Sequence, residues 1–89
     1  MTTITNAIYT KHYNMYQSPN FTDDSLKYIR STLETQNELA LDNYCRFDQE
    51  EEEELANTAW EIVGTIRMYN HEVIKAIDTI LEERAKEVK

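Results

Sequence analysis

Apolar side chains recur along the chain at helical spacing, in three stretches separated by two breaks. The first stretch, residues 1–17, carries two neighbouring rows of side chains spaced three or four residues apart, a spacing that suits an amphipathic helix. Its threonines lower the helix propensity, so the pattern predicts either a short helix or an extended arm. A turn at Ser18-Pro19-Asn20 ends this stretch. The two rows are Ile4, Ile8, His12 and Met15, and Tyr9, Tyr13 and Tyr16.

The second stretch, residues 22–47, predicts a helix with a one-sided core face. Thr22 is placed to cap its N-terminus, and Phe21 and Leu26 occupy the two positions of a hydrophobic staple. Tyr28 and Leu39 fall together on the opposite side, where they would form part of a contact surface. The core face consists of Leu26, Ile29, Leu33, Ala40, Leu41, Tyr44 and Phe47.

The third stretch, residues 48–88, predicts a long helix. Asp48 and Glu51 have the spacing of a capping box, and the apolar phase is kept through the rest of the stretch. A continuous helix of this length would measure about 60 Å at ~1.5 Å per residue. Continuity is favoured, and the alternative is a break near residue 70, where Asn70 would cap a fourth helix.

The apolar face of the third stretch is roughly 180° wide at about 100° per residue, wider than two shorter helices can cover. Large uncovered apolar surfaces usually mark interfaces, which predicts a homodimer through the C-terminal half. The fold class is therefore all-α: one domain, built as a helical hairpin or a small three- or four-helix bundle with a long C-terminal helix. The predicted dimer residues are Val73, Ile74, Ile77, Ile80 and Leu81.

Composition excludes several classes of protein. One glycine and one proline in 89 residues argue against an all-β fold, which needs frequent turn residues. A net charge of −8 argues against direct binding to nucleic acid or to an anionic membrane. Cys45 is the single cysteine, and neither a signal peptide nor a membrane-spanning run is evident, which favours a cytoplasmic protein.

Acidic residues follow helical rows. Glu34, Glu38 and Asp42 are spaced at i, i+4 and i+8, about 6 Å per step. In the third stretch, Glu50, Glu54, Glu61, Glu72 and Glu83 share a sector opposite the apolar face. A solvated polar face explains such charge runs most simply. However, the run of five glutamates that includes Glu51 exceeds what helix capping requires.

The alternative is that two rows of carboxylates face solvent together and imitate the phosphates of a nucleic acid. Such a surface would occupy the basic groove of a nucleic-acid-binding protein, with steered association. In charge and size the chain is similar to small acidic anti-restriction and anti-CRISPR proteins of phages, although it carries no motif of a specific one. The contact residues would be Glu34, Glu38, Asp42, Glu50, Glu51, Glu54 and Glu61.

Catalytic chemistry finds little support in the sequence. Glu50, Glu51 and Glu54 match the first half of the metal-binding motif of MazG-like all-α nucleotide pyrophosphatases. The second half, Glu-x-x-Asp, is absent, since Glu72 is followed three residues later by Lys75. We therefore expect neither catalysis, nor a metal site, nor a cofactor.

The resulting prediction is a non-catalytic interaction protein that binds and inhibits a basic protein partner through its carboxylates. The alternative is a structural homodimer that works through an apolar and aromatic surface, to which Trp60, Leu39, Tyr28 and the tyrosine row would contribute.

Overall fold

The computed structural model describes residues 2–44 and 53–87, which form three α-helices and contain no strand. The helices are α1 (Thr2–Tyr16), α2 (Asp23–Tyr44) and α3 (Glu53–Glu87). The all-α prediction is therefore confirmed. α3 continues through Asn70, so the alternative break near residue 70 does not occur. Cys45 and the predicted capping box at Asp48 lie outside the described residues.

The turn between α1 and α2 is built from local hydrogen bonds. The Ser25 amide donates to the Thr22 hydroxyl at 3.1 Å, which confirms Thr22 as the cap of α2. Phe21 packs against the buried cluster that contains Leu26, as expected for a hydrophobic staple. The Phe21 amide donates to the Ser18 carbonyl at 3.0 Å and closes the turn. The chain therefore leaves α1 and enters α2 within a few residues.

α2 runs antiparallel to α3. At the start of α2, the Phe21 carbonyl accepts a hydrogen bond from the Arg84 guanidinium at 2.7 Å. Further along α2, the Asn70 amide donates to the Asn37 side-chain oxygen at 3.0 Å. Later residues of α2 therefore contact earlier residues of α3, as expected for antiparallel helices. Asn70 is buried, and this amide pair satisfies polar groups that burial would otherwise destabilise.

α1 lies across the C-terminal half of α3, and two tyrosines of α1, Tyr9 and Tyr13, donate hydrogen bonds to it. The Tyr9 hydroxyl donates to the Thr79 hydroxyl at 3.1 Å, and the Tyr13 hydroxyl donates to a Glu83 carboxylate oxygen at 2.6 Å. This hydrogen bond to Glu83 raises the pKa of Tyr13 above its ordinary value, because ionising the phenol would place two negative charges together. Tyr9 and Tyr13 are thus half-buried packing residues.

His12 is a buried polar residue between α1 and α3. Its Nδ1 lies 2.8 Å from the Ile8 carbonyl and its Nε2 lies 3.3 Å from the Tyr69 hydroxyl. These partners assign the hydrogen to Nδ1 and make Nε2 the acceptor. The Tyr69 ring also meets the imidazole edge to face, with centroids 5.5 Å apart. His12 therefore fixes the position of Tyr69.

The main core lies where all three helices meet. Leu26, Val73, Ile77 and Ile80 form a buried cluster, with at most 2% of each side chain exposed. Leu81 is half-buried and packs against this cluster.

This core corrects the predicted dimer interface. Val73, Ile77 and Ile80 are covered by the chain's own helices, and Ile74 and Leu81 are half-buried. In the structure, α1 and α2 both cover the C-terminal half of α3, from different sides, which helical phase within α3 does not show. Val73, Ile77 and Ile80 are therefore not a free apolar face.

Glu72 also differs from expectation. The sequence pattern places it on a solvated acidic face, but only 8% of it is exposed. It lies within about 20° of Thr79 around α3, at about 100° per residue, on the side that α1 covers. Lys75 is its ion-pair partner at 3.9 Å. Glu72 is therefore not part of an exposed carboxylate row.

Candidate protein-interaction surface

Charge is unevenly divided along the molecule. Residues 31–44 of α2 and 53–66 of α3, here called the acidic end, contain no Lys or Arg. The remaining described residues, 2–30 and 67–87, hold seven acidic and seven basic side chains and are neutral in sum. The acidic end has a net charge of −6 from Glu34, Glu38, Asp42, Glu53, Glu54 and Glu61.

Exposed apolar side chains concentrate at the same end. Leu39, Leu55, Trp60 and Ile62 expose between 39% and 55% of their surface. On α3, four side chains within about 60° of one another, at about 100° per residue, form an apolar strip. α1 does not reach far enough along α3 to cover all of it. The apolar strip consists of Leu55, Ile62, Ile66 and Tyr69.

A groove of about 590 Å³ lies beside the strip, between α2 and α3. Ala40 is buried, and its small side chain leaves room between the helices, while Leu39 forms a wall on the α2 side. Tyr69 stands on the α3 side, held by His12. The lining residues are Gln36, Leu39, Ala40, Thr65, Ile66, Tyr69 and Asn70.

The groove continues toward the N-terminus of α3. A second depression of about 320 Å³ shares Thr65 and Ile66 with the groove and adds Glu61 and Ile62. From Glu61 to Asn70 the two together extend about 14 Å along α3, at ~1.5 Å per residue. One carboxylate, that of Glu61, therefore borders an otherwise largely apolar channel.

The acidic row of α2, which contains Glu34 and Glu38, does not face the groove. Arg30 forms an ion pair with Glu34 and donates to Asp78 of α3 at 2.7 Å. The bond to Asp78 raises the pKa of Arg30 above its ordinary value. At about 100° per residue, Glu34 and Glu38 lie roughly 100–140° from Leu39 around α2. They therefore face away from the groove, on the side of Asp78.

The acidic row of α3 borders the groove side. Glu54 and Glu61 are exposed and lie about 20° apart in helical phase, at about 100° per residue. Glu61 and Asp78 are separated by about 100° around α3 on the same measure. Among the described residues, the two rows of carboxylates therefore point in different directions. Glu50 and Glu51 lie outside the described residues.

Five carboxylates of the acidic end have no competing cation. No Lys or Arg within the described part of the chain forms an ion pair with these side chains, and all five are exposed. A partner's cation would therefore not have to displace an existing ion pair. The five are Glu38, Asp42, Glu53, Glu54 and Glu61.

Other kinds of site receive no support from the geometry. Within residues 2–44 and 53–87, no three His, Cys, Asp or Glu side chains are arranged to hold a metal ion. None of the helices that the structure describes has the length and apolarity needed to cross a bilayer. No protein-family model matches the chain, and no curated protein or solved structure is significantly similar to it.

Sequence reasoning missed two features of this surface. The groove forms because Ala40 of α2 and Ile66 of α3 line the same space between the two helices. Helical phase gives the direction of a side chain within one helix, but not which residue of a neighbouring helix lies opposite it. The sequence pattern groups His12 with apolar residues, and its four-residue spacing from Ile8 indicates that the two residues lie on the same face of α1. Its role in holding Tyr69 had no sequence signal, because the two residues are 57 positions apart.

Proposed function

We propose that this chain is a non-catalytic interaction protein that binds a partner whose contact surface is basic. The observation that carries the proposal is the coincidence, at one end, of a net charge of −6 and four exposed large apolar side chains. Apolar side chains at the centre of an interface supply most of the binding energy, and complementary charge accelerates association and selects the partner.

The partner class follows from the chemistry of this end. Unpaired carboxylates favour Lys and Arg, and a nucleic-acid-binding protein presents such residues on its working surface. Occupying that surface would inhibit the partner, as an anti-defence protein of a phage does. We propose a cytoplasmic location for this encounter. The different directions of the two acidic rows favour recognition of a basic patch over imitation of a continuous phosphate backbone.

A structural homodimer is the competing proposal. The exposed Leu55, Trp60 and Ile62 favour it, because such side chains are typical of interfaces. The charge opposes it, since joining two acidic ends brings like charges together.

Affinity purification from the native host, with mass spectrometry of the captured protein, tests the proposal. The bait carries Glu54→Lys and Glu61→Lys in one variant, and Glu82→Lys and Glu87→Lys in a control with the same net charge. We expect the wild type and the control to capture a basic protein that the first variant loses. We also expect the affinity for that protein to fall steeply between low and physiological salt, because the charges are exposed. Equal capture by all three baits would contradict the proposal.

A further inference from the structure

We propose that the groove between α2 and α3 receives one amphipathic helix of the partner, with apolar anchors facing inward and Lys or Arg along its edges. This inference rests on the proposed function and names the element of the partner that is bound. The groove and the adjoining depression offer two shallow apolar sites joined end to end, which is the shape that a helix fills in helix-in-groove recognition.

The length of the groove suits a short helix. About 14 Å along α3 corresponds to roughly nine or ten residues of a bound helix, or about two and a half turns. Over that distance a helix presents anchors at i, i+3 or i+4, and i+7 on one face. Leu39, Ile62 and Ile66 are spaced along the groove to contact these anchors.

The edges of the groove determine the charge of the bound helix. Glu61 borders the channel, and Glu54 lies one further step along the same side of α3. On α2, Asp42 lies on the side of Leu39 that faces away from the groove, near Glu38, so the acidic edge is the one that α3 forms. A helix with basic flanks gains ion pairs along the groove, whereas an acidic helix is repelled. A second copy of this chain is disfavoured for the same reason.

The floor is already organised for an occupant. Tyr69 is held by His12, and Asn70 by Asn37, so the groove needs no rearrangement of these side chains to bind. Preorganised side chains lose little conformational entropy on association. Substitutions that test the groove should therefore change its exposed wall residues, since changing Tyr69 or Asn70 would disturb the fold.

Fluorescence anisotropy with three synthetic peptides of about 14 residues tests the inference. The first has leucines at i, i+3, i+4 and i+7 and lysines elsewhere, the second scrambles the same residues, and the third replaces lysine by glutamate. We expect the first to bind about tenfold or more tightly than the scrambled peptide, and the glutamate peptide not to bind.

Variants of the protein locate the site. Leu39→Asp and Ile62→Asp change exposed wall residues, so the fold should persist, as circular dichroism would verify. We expect each to weaken the first peptide about tenfold, whereas Tyr28→Asp, an equally drastic change at an exposed apolar residue outside the groove, should change affinity less than about twofold.

The outcomes separate this inference from the proposed function. Equal binding of the lysine and scrambled peptides, or insensitivity to Leu39→Asp, would overturn the groove while leaving recognition of a basic partner intact. Failure of both lysine-containing peptides to bind would overturn both proposals. A dimer seen by sedimentation equilibrium and broken by Leu39→Asp would show that a second copy occupies the groove, and would also overturn the inference.

Discussion

Shortening Ile77 to alanine distinguishes a core residue from a dimer-interface residue. Ile77 is fully buried within one chain, in the cluster with Leu26, Val73 and Ile80. The change removes three buried carbons from a cluster to which α2 and α3 contribute and against which α1 packs. We expect the isolated protein to lose stability, whatever its concentration.

The expected magnitude follows from the burial. Replacing a fully buried isoleucine by alanine costs about 2–5 kcal/mol, because the lost transfer energy adds to that of the cavity left behind. At about 3 kcal/mol, and roughly 4–8 °C per kcal/mol for a domain of this size, Tm should fall by roughly 12–24 °C. Ile77→Val removes one methyl group and should lower Tm by roughly 4–8 °C, since it costs about 1 kcal/mol.

Thermal melts followed by circular dichroism, at several protein concentrations, provide the assay. Tyr28→Ala is the matched control, because Tyr28 is 74% exposed and should change stability by no more than about 0.5 kcal/mol. If Ile77 joined two copies, Tm would depend on concentration. A wild-type dimer that Ile77→Ala converts to a monomer of unchanged helicity and Tm would refute the assignment of Ile77 to the core.

Three further perturbations test other parts of the fold. Asn70→Leu leaves the Asn37 amide without its partner and should cost about 1–3 kcal/mol in urea denaturation, while the double change to leucine at both positions recovers part of the loss. Arg84→Met removes the donor to two carbonyls of the α1–α2 turn, and should cost about 2 kcal/mol in the same assay. Since Glu83 raises the pKa of Tyr13 in the folded chain, the stability from this contact is complete below pH 10.0, the ordinary value, and is lost as pH rises through the folded pKa. Tyr13→Phe should remove that alkaline step from a pH series of urea denaturation curves, and a wild type and variant with identical pH dependence would contradict it.

Local signals in the sequence were sufficient to predict α2 and α3, whereas they left the first stretch, which forms α1, open between a helix and an extended arm. Thr22 caps α2 as expected, because capping depends on residues three positions apart. The continuity of α3 follows from an apolar phase that Asn70 does not interrupt. These features depend on near neighbours, which the sequence displays directly.

The packing of the helices against one another was harder to predict from the sequence. The sequence predicted more apolar surface on α3 than its neighbours could cover, and the structure does leave Leu55 and Ile62 exposed. The prediction placed the uncovered part at Ile77, whereas α1 covers that half. The prediction for Glu72 is wrong for the same reason, because helical phase gives the direction of a side chain but not which helix lies there.

Mapping the bound peptide by ¹⁵N–¹H NMR would show whether this protein acts through the acidic end. On titration with the lysine–leucine peptide, we expect chemical-shift changes concentrated at residues 36–40 and 61–70. Changes confined to α1 and to residues 72–87, or no changes at all, would contradict this expectation.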